Sequence, residues 1–296
     1  MYLATFSIAA RCPRTGMLGI AVSTAVPAVG AICPRIEPGV GAVSTQAWVN
    51  PYLAVTALEQ MATGLDAEQA LAAALADDEA RNVRQVGVID ANGLAASWSG
   101  PDCTPWFGHR IGPGVAIQGN MLTGADVLDA MMAAFEASES EELAERLVRA
   151  LEAGQSEGGD KRGKQSAALL VRNEEAYPFV DLRVDESPAP VAELRRIFGV
   201  FKHQVRPFLG GMPRRGAPAT PTPDDVVTML LRSPPDRPGG TAPDLWADLL
   251  GLDLPADRRA ELLILFAPIA AEIAKLRAVD LTDVHPAVVF DPRMPS

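Results

Sequence analysis

Thr5-Phe6-Ser7-Ile8-Ala9-Ala10-Arg11, Cys12-Pro13-Arg14-Thr15-Gly16-Met17 and Leu18-Gly19-Ile20-Ala21-Val22-Ser23-Thr24 read as two β-prone runs joined by a turn. Pro13 fixes φ at the entry of the turn, and Gly16 supplies a positive φ at its exit. If Cys12 pairs with Met17, antiparallel counting sets Thr5 opposite Thr24 and Ser7 opposite Val22, to within one register step. The hairpin then gathers the hydroxyls of Thr5, Ser23 and Thr24 at the end away from its turn.

Outward from this hairpin, a third strand is expected over residues 39–45, and Asn50-Pro51 introduces a helix over 52–64. Asp66 followed by Gln69 is a capping-box pattern for a second helix ending near residue 76. Strands at 85–90 and 94–99 flank Ala91-Asn92-Gly93, whose Asn-Gly pair is a strong hairpin signal. Another strand runs into Gln118-Gly119-Asn120, and helices follow over 124–137 and 140–153. A loop at 158–166 feeds a strand over 167–171, with a last strand near 179–184. Strands, two helices, strands, two helices, strands is an order that favours an α+β fold with antiparallel sheets faced by helices over alternating βαβ units.

Composition changes after Glu186. A helix over 190–203 leads into a Pro- and Gly-rich stretch, so the chain divides into a domain at 1–205, a linker with one short helix at 206–242, and a small all-α module with an extended tail at 243–296. In the module Leu262, Phe266, Ile269, Ile273 and Leu276 step by 4, 3, 4 and 3, laying one apolar stripe along a long helix.

Among 296 residues, 48% are hydrophobic and 21% charged, enough to bury a sizeable core, and the formal net charge of −11 argues against a nucleic-acid partner. Cys12, Cys33 and Cys103 lack the paired spacing of a disulfide framework or zinc site, and His109, His203 and His285 are too far apart for a helix-borne metal pair. No metal and no cofactor is expected. No signal segment or apolar run of membrane-spanning length occurs, so the expectation is a cytoplasmic protein that avoids membranes.

The hairpin, Gly41-Ala42-Val43-Ser44-Thr45-Gln46-Ala47, Arg84-Gln85-Val86-Gly87-Val88-Ile89-Asp90, Gln118-Gly119-Asn120-Met121-Leu122 and the run from Gly159 to Leu170 together resemble the bacterial family known as domain of unknown function ten-twenty-eight. The resemblance implies a four-layer αββα sandwich like that of the N-terminal nucleophile hydrolases. In that superfamily a Thr, Ser or Cys at the chain start uses its own α-amine, with a pKa of about 8, as general base. A domain poor in histidine can then still hydrolyse an amide. The implied nucleophile is Thr5, with Asn120 and Asp160 as the other catalytic candidates. Substrate-binding candidates are Ser23 and Thr24 beside it, Thr45, Gln46 and Gln118 on the loops that would hold an oxyanion, and Arg162, Lys164 and Gln165 for an anionic substrate. Four residues precede Thr5, so its amine is free only after cleavage between Ala4 and Thr5.

Plainer readings stand beside these. Thr5 and Ser7 are β-prone residues whose hydroxyls often satisfy backbone groups, and Gln118-Gly119-Asn120 reads equally as a turn. The loop at 158–164 lacks the Gly-Lys-Ser/Thr ending of a phosphate-binding loop and enters a strand. His109 reads as structural, Trp48 and Trp106 as packing or pocket-mouth residues, and Cys12 as a turn residue.

The C-terminal residues, from Leu249-Leu250-Gly251-Leu252 to Pro286-Ala287-Val288-Val289-Phe290-Asp291-Pro292, are similar to the small accessory subunits of amidase-signature enzymes. That resemblance implies an amidase-signature subunit as partner. Together the two resemblances imply an amidohydrolase acting on a small amide or ureide C–N bond, itself a homo-oligomer, with a non-catalytic scaffold for an amidase as the alternative.

Overall fold

The computed structural model describes residues 2, 3 and 5–230. Along the chain run β1 (Tyr2–Leu3), β2 (Thr5–Arg11), β3 (Leu18–Thr24), β4 (Pro34–Glu37) and β5 (Gly41–Trp48), then α1 (Pro51–Ala62) and α2 (Ala67–Ala76). They are followed by β6 (Arg84–Asp90), β7 (Ala95–Ser99), β8 (Gly108–Gly112) and β9 (Val115–Asn120), then α3 (Asp126–Ala137) and α4 (Leu143–Ser156). After β10 (Ser166–Arg172) and β11 (Val180–Val184) come α5 (Pro190–Gln204), the single turn α6 (Arg206–Leu209) and α7 (Asp224–Leu230). The all-α module expected at 243–296, with its long striped helix and its tail, lies outside the described residues.

Local chemistry sets these boundaries. The Asn50 side chain accepts from the Tyr52 N–H at the start of α1, with Pro51 as first helical residue. At α2 the capping box forms in both directions, Gln69 N–H to Asp66 and Asp66 N–H to Gln69 Oε1. The expected starts at 124 and 140 give way to Asp126 and Leu143. Three strands, the two-residue β1, β4 and β8, escape the sequence pattern. In β4 only Ile36 is buried and in β8 no residue is, so neither carries the alternation that marks a half-buried strand.

All strand pairs are antiparallel and form two sheets. One runs β1-β5-β6-β7 with β4 also on β5, the other β11-β10-β3-β2-β9-β8. Helices α1 and α2 cover the outer face of the first sheet, where Leu53, Leu58 and Leu71 meet Val43, Val86 and Val88. The outer face of the second meets α3, α4 and α5 through Phe6, Ile8, Leu128, Leu147 and Phe198. Burying one such side chain fully contributes about 1.5–3 kcal/mol. Gly19 lets α4 approach β3, since a Cβ there would lie 2.5 Å from Leu147 Cδ1.

Between the sheets, Ala9, Leu18, Ile20, Ile36, Ala42 and Ile89 form a third, smaller apolar core. The described residues thus form an α+β fold, with helices outside and two sheets facing each other. The inter-sheet layer turns polar toward one end, and the hairpin register explains where. Thr5 pairs with Thr24 and Ser7 with Val22, as the Cys12–Met17 count requires, and Cys12 N–H donates to Met17 O. Between Leu3 and Thr5 the chain passes from the first sheet to the second.

Candidate active site between the sheets

Strand alternation decides which candidates meet. Along β2, Phe6, Ile8 and Ala10 belong to the helix-side core while Ala9 belongs to the inter-sheet core, so Thr5 and Ser7 share Ala9's face and look toward the opposite sheet. Thr5 pairs with Thr24 on one side and Asn120 on the other, and Ser7 with Gln118. Directly paired residues share a face, so Thr5, Thr24, Gln118 and Asn120 all enter the inter-sheet layer. From the other sheet comes Gln46, paired with Gln85.

Thr5 is 0% exposed. Its Oγ1 lies 3.3 Å from Thr24 Oγ1, and its carbonyl accepts from Gln46 Nε2 at 3.1 Å. Gln46 Nε2 also donates to Gln85 Oε1 at 2.8 Å, which accepts from Asn120 Nδ2 at 2.9 Å. Ser7 is the second centre. Its hydroxyl donates to Gln46 Oε1 at 2.6 Å and accepts from Ser44 Oγ at 3.0 Å and from Gln118 Nε2 at 2.6 Å. Gln85 Nε2 extends the network outward to Ser99 Oγ at 2.8 Å, which meets His109 Nδ1 at 3.1 Å. Burial, ahead of the neighbouring Arg110 charge, holds the His109 pKa below its ordinary value. One acceptor is left over: Gln118 Oε1 is buried with no donor, which costs about 1–3 kcal/mol and calls for a reason.

Asp160 reaches the same end through its bridge to Leu122, two residues beyond Asn120. Its carboxylate accepts from Ala25 N–H at 3.0 Å, just past Thr24, and from Arg162 N–H at 2.9 Å, and pairs with the Arg162 guanidinium at 3.0 Å. Gln165 contributes its backbone, with its N–H donating to Thr24 O at 2.8 Å. Lys164 is exposed on the same loop.

Two candidates face elsewhere. Ser23 pairs with Phe6 on the helix side of β2 and β3 and donates to Ser166 O. Thr45 pairs with Val86 on the face covered by α1 and donates to Asn50 O. Each neighbours a residue of the polar layer in sequence, and the period of two turns it away. Conversely Ser7, Ser44 and Gln85 sit in the layer unannounced. Their signal was a repeated small or amide side chain at alternate positions, Ser7 before Ala9, Ser44 before Gln46, Gln85 before Gly87 and Gln118 before Asn120.

Backbone strain gathers here too. Among the described residues the non-glycine positions with positive φ are Ala28 at 58°, Ala47 at 64° and Met121 at 51°. They lie at or beyond the ends of β3, β5 and β9 that flank Thr5. Each costs about 1–2 kcal/mol, and such residues concentrate at functional sites. Among these residues no three His, Cys, Asp or Glu side chains gather as a metal would need. Nor is any helix there long and apolar enough to cross a membrane.

The sequence matches the model of the Family of unknown function (DUF1028) over residues 5–194, a span that begins at Thr5. No curated protein matches significantly. Among solved structures, the crystal structure of protein SPO2555 from Silicibacter pomeroyi, itself assigned to DUF1028, is 29% identical, covering 72% of this chain and 97% of that one with a TM-score of 0.66. Anbu, the ancestral beta-subunit from Yersinia bercovieri, is 9% identical, covering 71% of this chain and 99% of its own with a TM-score of 0.32, a likeness too slight to bear on fold or chemistry.

Proposed function

The chain belongs to the DUF1028 family, and we propose that it is an N-terminal nucleophile type amidohydrolase whose nucleophile is Thr5, acting on a small amide or ureide C–N bond within an αββα sandwich. The observation that carries this reading is the pairing of Thr5 with both Thr24 and Asn120 where the chain changes sheets. In the uncut chain Thr5 is buried and its nitrogen is an amide, so the enzyme must first mature. The Thr5 hydroxyl attacks the Ala4 carbonyl carbon, the Ala4–Thr5 C–N bond breaks as an ester forms, and water hydrolyses that ester. The products are the Ala4 carboxylate and a free Thr5 α-amine. Loss of residues 1–4 also removes β1, which frees the edge of β5 that it covers.

In the catalytic cycle the freed amine takes the hydroxyl proton as Oγ1 attacks the substrate carbonyl. Asn120 stands opposite as the amide donor for the oxyanion, and the amine returns the proton to the leaving nitrogen. Water then hydrolyses the Thr5 ester. In this reading Asp160 and Arg162 hold the loop beside Thr24, and exposed Lys164 on that loop would add positive charge for an anionic substrate.

Intact-mass measurement of the purified chain tests this reading. A species beginning at Thr5, absent in Thr5→Ala, supports it, and a uniform species retaining Met1 or Tyr2 removes it. A second reading, a non-catalytic scaffold, is favoured by the complete burial of Thr5 and by the tie from its carbonyl to Gln46. Under it Thr5→Ala leaves every activity of the protein and its complexes unchanged.

Residues 243–296, beyond the family match, are proposed to recruit an amidase-signature enzyme to a cytoplasmic homo-oligomer. Co-purification that survives deletion of residues 241–296 would contradict that role.

A further inference from the structure

At the other end of β2, roughly 20 Å from Thr5 at 3.3 Å per residue, three hairpin turns converge. They are the β2–β3 turn at Pro13, the β6–β7 turn at Gly93 and the β8–β9 turn at Gly114, stitched by Arg11 N–H to Gly114 O and Gly114 N–H to Gly93 O. Against the turn between α3 and α4 they leave two adjoining clefts of about 320 and 240 Å³, which share Pro13, Glu139 and Arg146 as walls.

Three arginines line the clefts, Arg146 in both, Arg11 in the larger and Arg14 in the smaller. Arg146 is 6% exposed, donates its Nε and Nη2 to Phe135 O, and lies 3.8 Å over the Phe135 ring. Arg14 donates to Ser140 O and Glu141 O, both backbone carbonyls. Arg11 lines the larger cleft, and its buried Nε has no partner. Among the described residues none of the three has a carboxylate at ion-pair distance, a state they share with Arg35, Arg81, Arg172, Arg214 and Arg215, while Arg84, Arg110, Arg149, Arg162, Arg183, Arg195, Arg196 and Arg206 are paired.

Charge around the two clefts is of both signs. Burial is the largest influence on Arg146 and lowers its pKa, and Arg14 pushes the same way while Cys12 and Glu139 oppose. Burial should raise the Cys12 thiol, yet hydrogen bonds from Thr15 and Arg14 bring it below its ordinary value. A chain with net charge −11 has carboxylates in excess, yet among the described residues Arg11, Arg14 and Arg146 make no ion pair, and Glu139, the carboxylate that lines both clefts, lies beyond ion-pair distance of them.

We propose that the two adjoining clefts, joined at Arg146 with Arg11 in the larger and Arg14 in the smaller, are a binding site for a small phosphate-type dianion, inorganic phosphate or a compact phosphomonoester. Guanidinium forks match tetrahedral oxyanions in geometry and charge. The clefts lie at the small end of ligand-pocket volumes, which suits a compact anion rather than a nucleotide. The site stands apart from Thr5 and does not depend on catalysis there.

The test is calorimetric titration and thermal unfolding of the full chain with inorganic phosphate, against sodium chloride at matched ionic strength. Saturable heat and a phosphate-specific rise in Tm are expected. Arg11→Gln should weaken phosphate at least tenfold while leaving the Tm in chloride unchanged or higher, because Arg11 makes no side-chain bond to lose. Arg14→Gln should weaken binding as well. A phosphate response no larger than that to chloride, or one undiminished in Arg11→Gln, overturns the site. Succinate binding more tightly than phosphate overturns the phosphate assignment.

Discussion

Gly87 stands across the inter-sheet layer from Gln118, and a Cβ added to it would lie 2.0 Å from Gln118 Oε1 and 2.4 Å from its Cδ. The absent side chain is what admits the glutamine amide, and through it the bond to Ser7. Gly87→Ala should displace that amide and cost roughly 2–3 kcal/mol, the loss of a buried hydrogen bond with its partner left behind. Denaturant unfolding measures this, and wild-type stability in the variant would show that Gln118 is not held there.

Gln85 is the hub of the layer, accepting from Gln46 and Asn120 and donating to Ser99 and to Gly119 O. Gln85→Leu keeps most of the volume and strands these partners, so a destabilisation of about 3 kcal/mol is expected. A variant as stable as wild type would mean that the layer has no energetic role.

Glu145 joins α4 to α5 by pairing with Arg149, Arg195 and Lys202. Burial works to raise its pKa, but hydrogen bonds from Arg195, Arg149 and Lys202 outweigh it and bring the carboxyl from 4.5 to about 2. A folded-state pKa below the unfolded one stabilises above the unfolded value and is lost as pH falls through the folded one. The window is therefore pH 4.5 down to about 2, worth about 2 kcal/mol after discounting for partners one-third exposed. Glu145→Gln should flatten the acid limb of a stability-against-pH curve there, and an unchanged limb would refute the pairing.

Ala47, at φ 64°, holds a left-handed conformation that a Cβ disfavours. Ala47→Gly should raise stability by about 0.5 kcal/mol, the relief of strain exceeding the entropy gained by the unfolded chain. Calorimetric Tm is the readout, and a fall of several degrees would place the Ala47 methyl among the packing contacts instead.

Much of this is legible in the sequence. The Cys12–Met17 count placed Thr5 opposite Thr24 because a tight turn fixes register and register fixes faces. The same rule, carried one step further, would have turned Ser23 toward the helices with Phe6 and brought in Ser7. Gln85 was readable as the start of a strand but not as a hub, since its partners Gln46 and Asn120 lie in separate parts of the chain and meet only when two sheets face each other. β8 was invisible because none of its residues is buried and glycines close both its ends.

The amide-and-hydroxyl seam has a consequence for how the two sheets find their alignment. Greasy surfaces can settle at several offsets with little difference in energy, whereas the bonds from Gln46 to Gln85 and to the Gln118 carbonyl, and from Gln118 to Ser7, form at a single offset. Replacing all three by leucine would leave a sandwich that still collapses but no longer chooses one stacking, and broadened methyl resonances would reveal it.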